Sequence, residues 1–324
     1  MSETVGVLGA GRMGRALCRW VLRAGHRVLL WDRSGSQIPA RLALDPADRV
    51  EVAASAAEVA AAVRTILVGL PASAVGPVFE TMGARLRADH EILHTSKGVA
   101  PGFRLVSELI RAECGARQIA ALGGPLLATE LEEGNPLAVV VASRFDRFVA
   151  RLRGLLADGR TWLFGSRDLV GLEIAGAMRN VSAIAMGICE GADVSETSRA
   201  LILTRGLLEA ARIGAHFGAD RDTFIGLGGV GDLVARRQAT YSRNFRLGAR
   251  LAAGDDCAKV AQELAAEVEG VVTARAAADL ADRTGLTLAV ASAVDRVCRG
   301  APARAEIDAL LSTELPLGPS ARLL

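Results

Sequence analysis

The feature that most restricts this chain is a glycine run, Gly9-Ala10-Gly11-Arg12-Met13-Gly14, set directly behind a short apolar run from Val5 to Leu8. Behind it come a segment of helical period ending near Gly25, a second apolar run from Arg27 to Trp31, and the acidic Asp32. Strand, tight turn and helix in this order give the glycines separate tasks. One makes the turn, one lets the backbone approach a pyrophosphate, and one lets the helix pack closely on the strand. The helix N-terminus adds free N–H groups and a partial positive charge suited to phosphates. A glycine pattern alone is weak. With an acid after the next strand and further strand-helix units behind it, the pattern marks a dinucleotide site. Asp32 is placed to accept hydrogen bonds from an adenosine ribose, which favours NAD. Arg33 beside it is placed to pair with a 2'-phosphate, which favours NADP. Both cofactors stay open.

Up to about residue 165, Val/Ile/Leu-rich runs alternate with Ala/Arg/Leu segments of helical period, the pattern of a parallel sheet covered by helices. Strands are expected at Val5 to Leu8, Arg27 to Trp31, Thr65 to Gly69, Glu91 to His94, Gln118 to Leu122 and Leu137 to Ala142. After Asp168 the texture changes to long Ala-rich helical segments, about Leu169 to Gly191, Glu196 to Gly218 and Ala276 to Gly285. The expected fold is α/β, a Rossmann-type parallel-sheet domain over residues 1–172 followed by a mostly helical substrate domain over 173–324.

A net charge of +2 offers no broad basic face for nucleic acid or an anionic membrane. The longest charge-free runs fall short of the roughly 20 residues that span a bilayer. The first residues lack the basic-then-apolar order of a signal peptide, so a soluble cytoplasmic protein is expected. Cys18, Cys114, Cys189, Cys257 and Cys298 are far apart in sequence, which points to reduced thiols rather than a metal site, a redox pair or a disulfide framework. His90 and His94 have the spacing of a helical metal pair but fall on an expected strand, where positions four apart diverge. Tyr241 is followed four residues later by Phe245, so a Tyr-x-x-x-Lys proton relay is absent.

His94-Thr95-Ser96-Lys97-Gly98 stands at the carboxyl end of a strand, the edge of an open α/β sheet where ligands bind. Lys97 and Lys259 are the chain's two lysines, against 36 arginines. A compact amine is therefore unusual here. Downstream lie Gly123-Gly124-Pro125, a helical stretch from Gly171 to Asn180, Thr204-Arg205-Gly206-Leu207, Gly229-Val230-Gly231-Asp232-Leu233 and Ser242-Arg243-Asn244. In this order, after a dinucleotide half, they resemble the bacterial NAD(P)-dependent glycerol-3-phosphate dehydrogenases over nearly the whole chain. That resemblance implies reduction of dihydroxyacetone phosphate to sn-glycerol 3-phosphate for phospholipid synthesis, by a homodimer without a membrane span or nucleic-acid partner. It also implies that Lys97, Gly124 and Asn180 touch the small phosphorylated substrate, that Asp232 sits beside the reacting carbon, and that Ser242, Arg243 and Asn244 hold the phosphate. On the cofactor side it adds Arg12, Met13, Arg33, Ala128, Glu269, Lys97 and Arg243 to Gly9, Gly11, Gly14 and Asp32.

Two positions depart from the family. Its acid-base lysine is here Arg179, and a guanidinium polarises a carbonyl but is a poor proton donor. A substrate-contacting threonine is here Leu126. Three readings follow: the family reaction, with Lys97 or a water carrying the proton and Arg179 stabilising the alkoxide; a dehydrogenase of another small hydroxy or keto substrate; or a nucleotide-binding homologue with little catalysis. Met13 also gives the glycine turn a likeness to that of the 3-hydroxyacid dehydrogenases, but their Lys and Asn stand one helical turn apart, unlike Arg179-Asn180.

Overall fold

The structure, a computed structural model, describes residues 2–35, 49–235, 242–264 and 268–313; Tyr241 lies outside them. The chain divides into two units, one of residues 1–96 and 106–172, the other of residues 97–105 and 173–324.

In the first unit eight strands form one sheet: β1 (Thr4–Leu8), β2 (Arg27–Trp31), β3 (Val50–Val52), β4 (Thr65–Val68), β5 (Glu91–His94), β6 (Gln118–Gly123), β7 (Leu137–Ser143) and β8 (Thr161–Ser166), in the order β3-β2-β1-β4-β5-β6-β7-β8. The connecting helices are α1 (Arg12–Arg23), α2 (Ala56–Ala62), α3 (Ala72–Met82), α4 (Val106–Glu113), α5 (Ala128–Glu133) and α6 (Asp146–Leu155). Successive strand side chains point to opposite faces, and both faces are covered. Val5, Val7, Leu67 and Leu93 pack with Leu17 and Trp20 of α1 and Phe148 of α6. Leu8, Ile66, Val68 and Ile92 pack with Val59 of α2, Val75 and Phe79 of α3 and Ile110 of α4. Burial on both sides is why these strands read as unbroken apolar runs.

The expected parallel sheet holds for every pairing but one. β7 runs antiparallel to β6, with Ala121 opposite Ala142. A parallel return needs a crossover, usually a full helix, and the link there holds only the six-residue α5. Burial is alike for either direction, so the apolar pattern carried no sign of the reversal. β3 and β8, which the sequence reading did not place, are the sheet's two edges. β3 has three residues, and β8 buries Leu163 while leaving Trp162 58% and Phe164 55% exposed.

The second unit is helical: α7 (Leu169–Gly191), whose first turn belongs to the first unit, then α8 (Glu196–His216), α9 (Arg221–Ile225), α10 (Arg243–Ala252), α11 (Cys257–Glu263), α12 (Glu269–Thr284), α13 (Ala289–Cys298) and α14 (Ala303–Ser312). α12 starts two turns before the expected Ala276. Among the described residues α7 is the one helix long and apolar enough to cross a membrane, but 83% of its most apolar window is buried inside the protein, as in a core helix. α7 and α10 meet backbone to backbone. A Cβ on Gly187 would lie 2.0 Å from the Phe245 carbonyl oxygen, and one on Gly248 2.1 Å from that of Ile184. This approach fixes the first turn of α10 relative to Asn180.

Candidate active site

The first unit contributes the glycine turn. Gly9 leaves β1 at φ +100°, a left-handed conformation that favours glycine, and its N–H donates to the Trp31 carbonyl at 2.7 Å. A Cβ on Gly14 would stand 1.7 Å from the Gly9 carbonyl oxygen, so α1 packs on the turn only because that side chain is absent. Gly11 caps α1 and faces open space, with nothing within 4 Å of a Cβ built there. The first turn of α1 holds no acidic residue of its own. These observations fit a dinucleotide pyrophosphate. Asp32 has a further duty that the sequence did not show. Its Oδ2 accepts from the Ala10 N–H at 2.8 Å, and its Oδ1 accepts from the Ser34 N–H at 2.8 Å and from the Ser34 hydroxyl. The carboxylate braces the glycine turn from the end of β2.

Arg12 and Arg33 are exposed, while Met13 and Ala128 are half-buried against the α1-side core. Gly124 is buried at φ +85° in the turn after β6, its carbonyl accepting from the Leu126 N–H at 2.6 Å. Leu126 is 1% exposed within that same core. A hydrophobic side chain there is part of the packing.

The second unit brings four of the expected residues into one bonded cluster. Lys97 heads the segment 97–105 and its Nζ donates to Asp232 Oδ2 at 2.5 Å. Arg179, from the middle of α7, sets its Nε 3.3 Å from the same oxygen, a charge contact that is not aligned as a hydrogen bond. Arg179 Nη2 donates to Asn180 Oδ1 at 2.7 Å, and Asn180 Nδ2 donates to the Lys97 carbonyl at 2.6 Å. Asp232 is 1% and Asn180 2% exposed. Asp232 Oδ1 has no hydrogen-bond partner among the described residues, which leaves one buried acceptor free for a hydroxyl donor.

Local structure explains each placement. A wide turn over Leu227–Gly231, closed by Gly231 N–H to the Gly226 carbonyl, delivers Asp232; a Cβ on Gly229 would fall 2.0 Å from the Phe224 carbonyl oxygen. Segment 97–105 turns at Gly102 and Phe103, the latter at φ 61°. Phe103 is 1% exposed and stacks on Phe217 with ring centroids 5.7 Å apart, and this packing holds the strained turn behind Lys97. Nothing in the local sequence marked Phe103. Ser242 caps α10, Arg243 opens it half-buried, and Asn244 Oδ1 accepts from the Gly270 N–H at 3.2 Å. A Cβ on Gly270 would meet Asn244 Oδ1 at 2.6 Å and the Asn180 carbonyl at 2.9 Å, so the head of α10 adjoins the cluster through Gly270. Glu269 opens α12, half-buried. Arg205 does other work: its guanidinium donates to the Leu310 and Thr313 carbonyls, securing the end of α14. His90 binds the Ala60 carbonyl with one ring nitrogen and accepts from the Arg87 N–H with the other, both backbone partners.

The NAD-dependent glycerol-3-phosphate dehydrogenase N-terminal family profile matches residues 4–149, and the C-terminal profile of the same family matches 168–307. The chain belongs to this family. It is accordingly an oxidoreductase of the type that acts on a CH–OH group with NAD or NADP. A glycerol-3-phosphate dehydrogenase of Thiobacillus denitrificans, described as using NAD(P)+, is 37% identical over 95% of this chain and 98% of its own. The Erythrobacter litoralis enzyme of the same description is 35% identical over 97% and 98%. The crystal structure of glycerol-3-phosphate dehydrogenase from Coxiella burnetii superposes with a TM-score of 0.88 at 28% identity, covering 96% of this chain and 99% of that one.

Proposed function

We propose that this chain reduces dihydroxyacetone phosphate to sn-glycerol 3-phosphate, and that Lys97 supplies the proton. The observation that carries the reading is the cluster in which Lys97 and Arg179 share one buried oxygen of Asp232. A reduced nicotinamide, when bound, supplies the hydride. Gly9, Gly11, Gly14, Arg12 and Met13 are assigned to its pyrophosphate end and Asp32 and Arg33 to the adenosine ribose; the family resemblance assigns Ala128, Glu269, Lys97 and Arg243 to the cofactor as well. On the substrate side, Ser242, Arg243 and Asn244 hold the phosphate dianion, a fit of guanidinium, hydroxyl and amide donors to anionic oxygens. Gly124 and Asn180 position the carbon chain, and Asp232 Oδ1 accepts from a substrate hydroxyl. As the carbonyl carbon gains hydride, its oxygen takes a proton from the Lys97 ammonium, leaving a neutral amine that is reprotonated from solvent. Arg179, charged throughout, stabilises the developing alkoxide. This differs from a lysine at position 179 in separating the proton from the electrostatic clamp.

The test is the rate of reduced-nicotinamide loss with dihydroxyacetone phosphate for the native chain, Lys97→Arg and Arg179→Lys. Lys97→Arg keeps the charge and loses the transferable proton, so kcat should fall by about 10²-fold or more with KM little changed. A native chain that is silent and revived by Arg179→Lys would sink the relocated proton path. The same reading makes this a cytoplasmic homodimer that supplies glycerophospholipid precursors, supported by family membership; light scattering of the purified chain tests the dimer.

A further inference from the structure

Behind Arg179 the second unit leaves a void of about 10 Å³. Its walls include Arg179 and Ser182 of α7, Gly206 of α8, Phe224 of α9, Gly229 of the wide turn, and Leu233 just after it. Arg179 and Ser182 are the lining residues with polar side chains, and the others are apolar or glycine. Both are more than nine-tenths buried, at 8% and 4% exposure. Arg179 Nε has no hydrogen-bond partner among the described residues, because its 3.3 Å contact with Asp232 Oδ2 is out of hydrogen-bond alignment. A buried donor without an acceptor is rare in folded proteins and calls for a partner. Ser182 Oγ supplies the other polar edge of the void. It reaches across to α8, where a Cβ on Gly206 would lie 2.8 Å from it.

We infer that this void is the site of one ordered water, which accepts from Arg179 Nε and donates to Ser182 Oγ, and that Ser182 is thereby a positioning residue for Arg179. Size and lining select the occupant. A space of about 10–15 Å³ is the least that admits a water, and a buried water needs at least two polar partners. Nε–H and Oγ are those two. The guanidinium is then held along two edges: Nη2 donates to Asn180 Oδ1 at 2.7 Å, and Nε donates to the water. Its plane is set before substrate arrives, and Nη1 is left to the substrate oxygen. A donor fixed in advance stabilises developing charge without reorganising as the reaction proceeds. Gly206 also gains a reason, since a side chain at that position would press on Ser182 Oγ and take the space of the water. The effect on rate rests on the role proposed for Arg179 above, whereas the water itself does not.

The experiment is a high-resolution crystal structure of the full chain, of Ser182→Ala and of Gly206→Ala, read beside their turnover of dihydroxyacetone phosphate. Expected in the native chain is density for a single water about 2.7–3.2 Å from both Arg179 Nε and Ser182 Oγ. Ser182→Ala removes one of its two partners and Gly206→Ala takes its space, so the water should be lost from each. With the guanidinium no longer held in plane, kcat should fall about tenfold or more while KM and the melting temperature stay near the native values. A merely structural defect would lower the melting temperature instead. A native void without water density, or Nε hydrogen-bonded directly to a protein acceptor, would overturn the water site. Variants that lose the water and keep the native kcat would overturn the positioning role of Ser182. A native chain that shows the water but no turnover would count against the assigned reaction and the rate effect that rests on it, and would leave the water site standing.

Discussion

At residue scale, Asp232 decides the behaviour of two cations. Lys97 is 11% and Arg179 8% exposed at the side chain, and both charges answer to the same oxygen. Asp232→Asn keeps shape and removes the charge, leaving an ammonium and a guanidinium facing each other across a neutral amide. Breaking a buried pair in this way costs about 3–5 kcal/mol, so the denaturant midpoint should drop clearly; an unchanged midpoint would mean that the two cations are neutralised by other groups. Gly14 makes the complementary case in the first unit. With a Cβ 1.7 Å from the Gly9 carbonyl oxygen, Gly14→Ala must push α1 away from the turn that presents its N–H groups. Reduced nicotinamide should then bind at least about tenfold more weakly, a loss of about 1.4 kcal/mol, as read by fluorescence titration. These two residues also mark what was legible. Gly14 is a local requirement of a strand-turn-helix and stood out in the sequence. The bracing of Ala10 by Asp32 did not, because an acid after β2 looks the same whether it faces a ribose or its own chain.

Elements were legible where they were buried. β1, β2, β4 and β5 have covered faces and dense apolar runs, whereas β8 alternates one buried leucine with two exposed aromatics at a sheet edge and carries no such signature. The orientation of β7 depends on the link before it, which side-chain pattern does not encode. Segment 97–105 is the functional case. Its composition is that of an ordinary loop, yet it presents Lys97 and is held by a left-handed Phe103 stacked on Phe217. Phe103→Ala keeps the backbone strain and deletes the buried ring, a loss of about 3–5 kcal/mol for a phenylalanine. The expected outcome is a lower melting temperature together with faster amide exchange across 97–105. Exchange that rises elsewhere but not in this segment would show that Phe217 does not anchor it.

At the scale of the whole molecule, family and fold class could be read from the sequence, whereas pairings across long separations could not. The pairing of Glu209 with the start of α13 is a product of helix packing. Glu209 sits in α8 at 1% exposure, its two carboxylate oxygens accepting from the Val290 and Ala291 N–H groups at 2.7 and 3.1 Å. Burial pushes its carboxyl up from 4.5 to about 7, against the opposing pull of those N–H donors and of Arg212 and Arg205. A carboxyl whose folded value lies above its unfolded one binds protons more tightly when folded. Its contribution is therefore fully present below about pH 4.5 and is lost as pH rises toward 7. The shift corresponds to about 3 kcal/mol. Glu209→Gln has no proton to lose and retains one carbonyl acceptor, so it forfeits one N–H partner at every pH. Unfolding free energies of the two chains, measured in denaturant between pH 5 and 8, should converge and then cross, with the native chain falling while the glutamine variant stays flatter. Parallel slopes across that range would mean Glu209 remains ionised in the fold, held by the α13 N–H groups more strongly than burial opposes it.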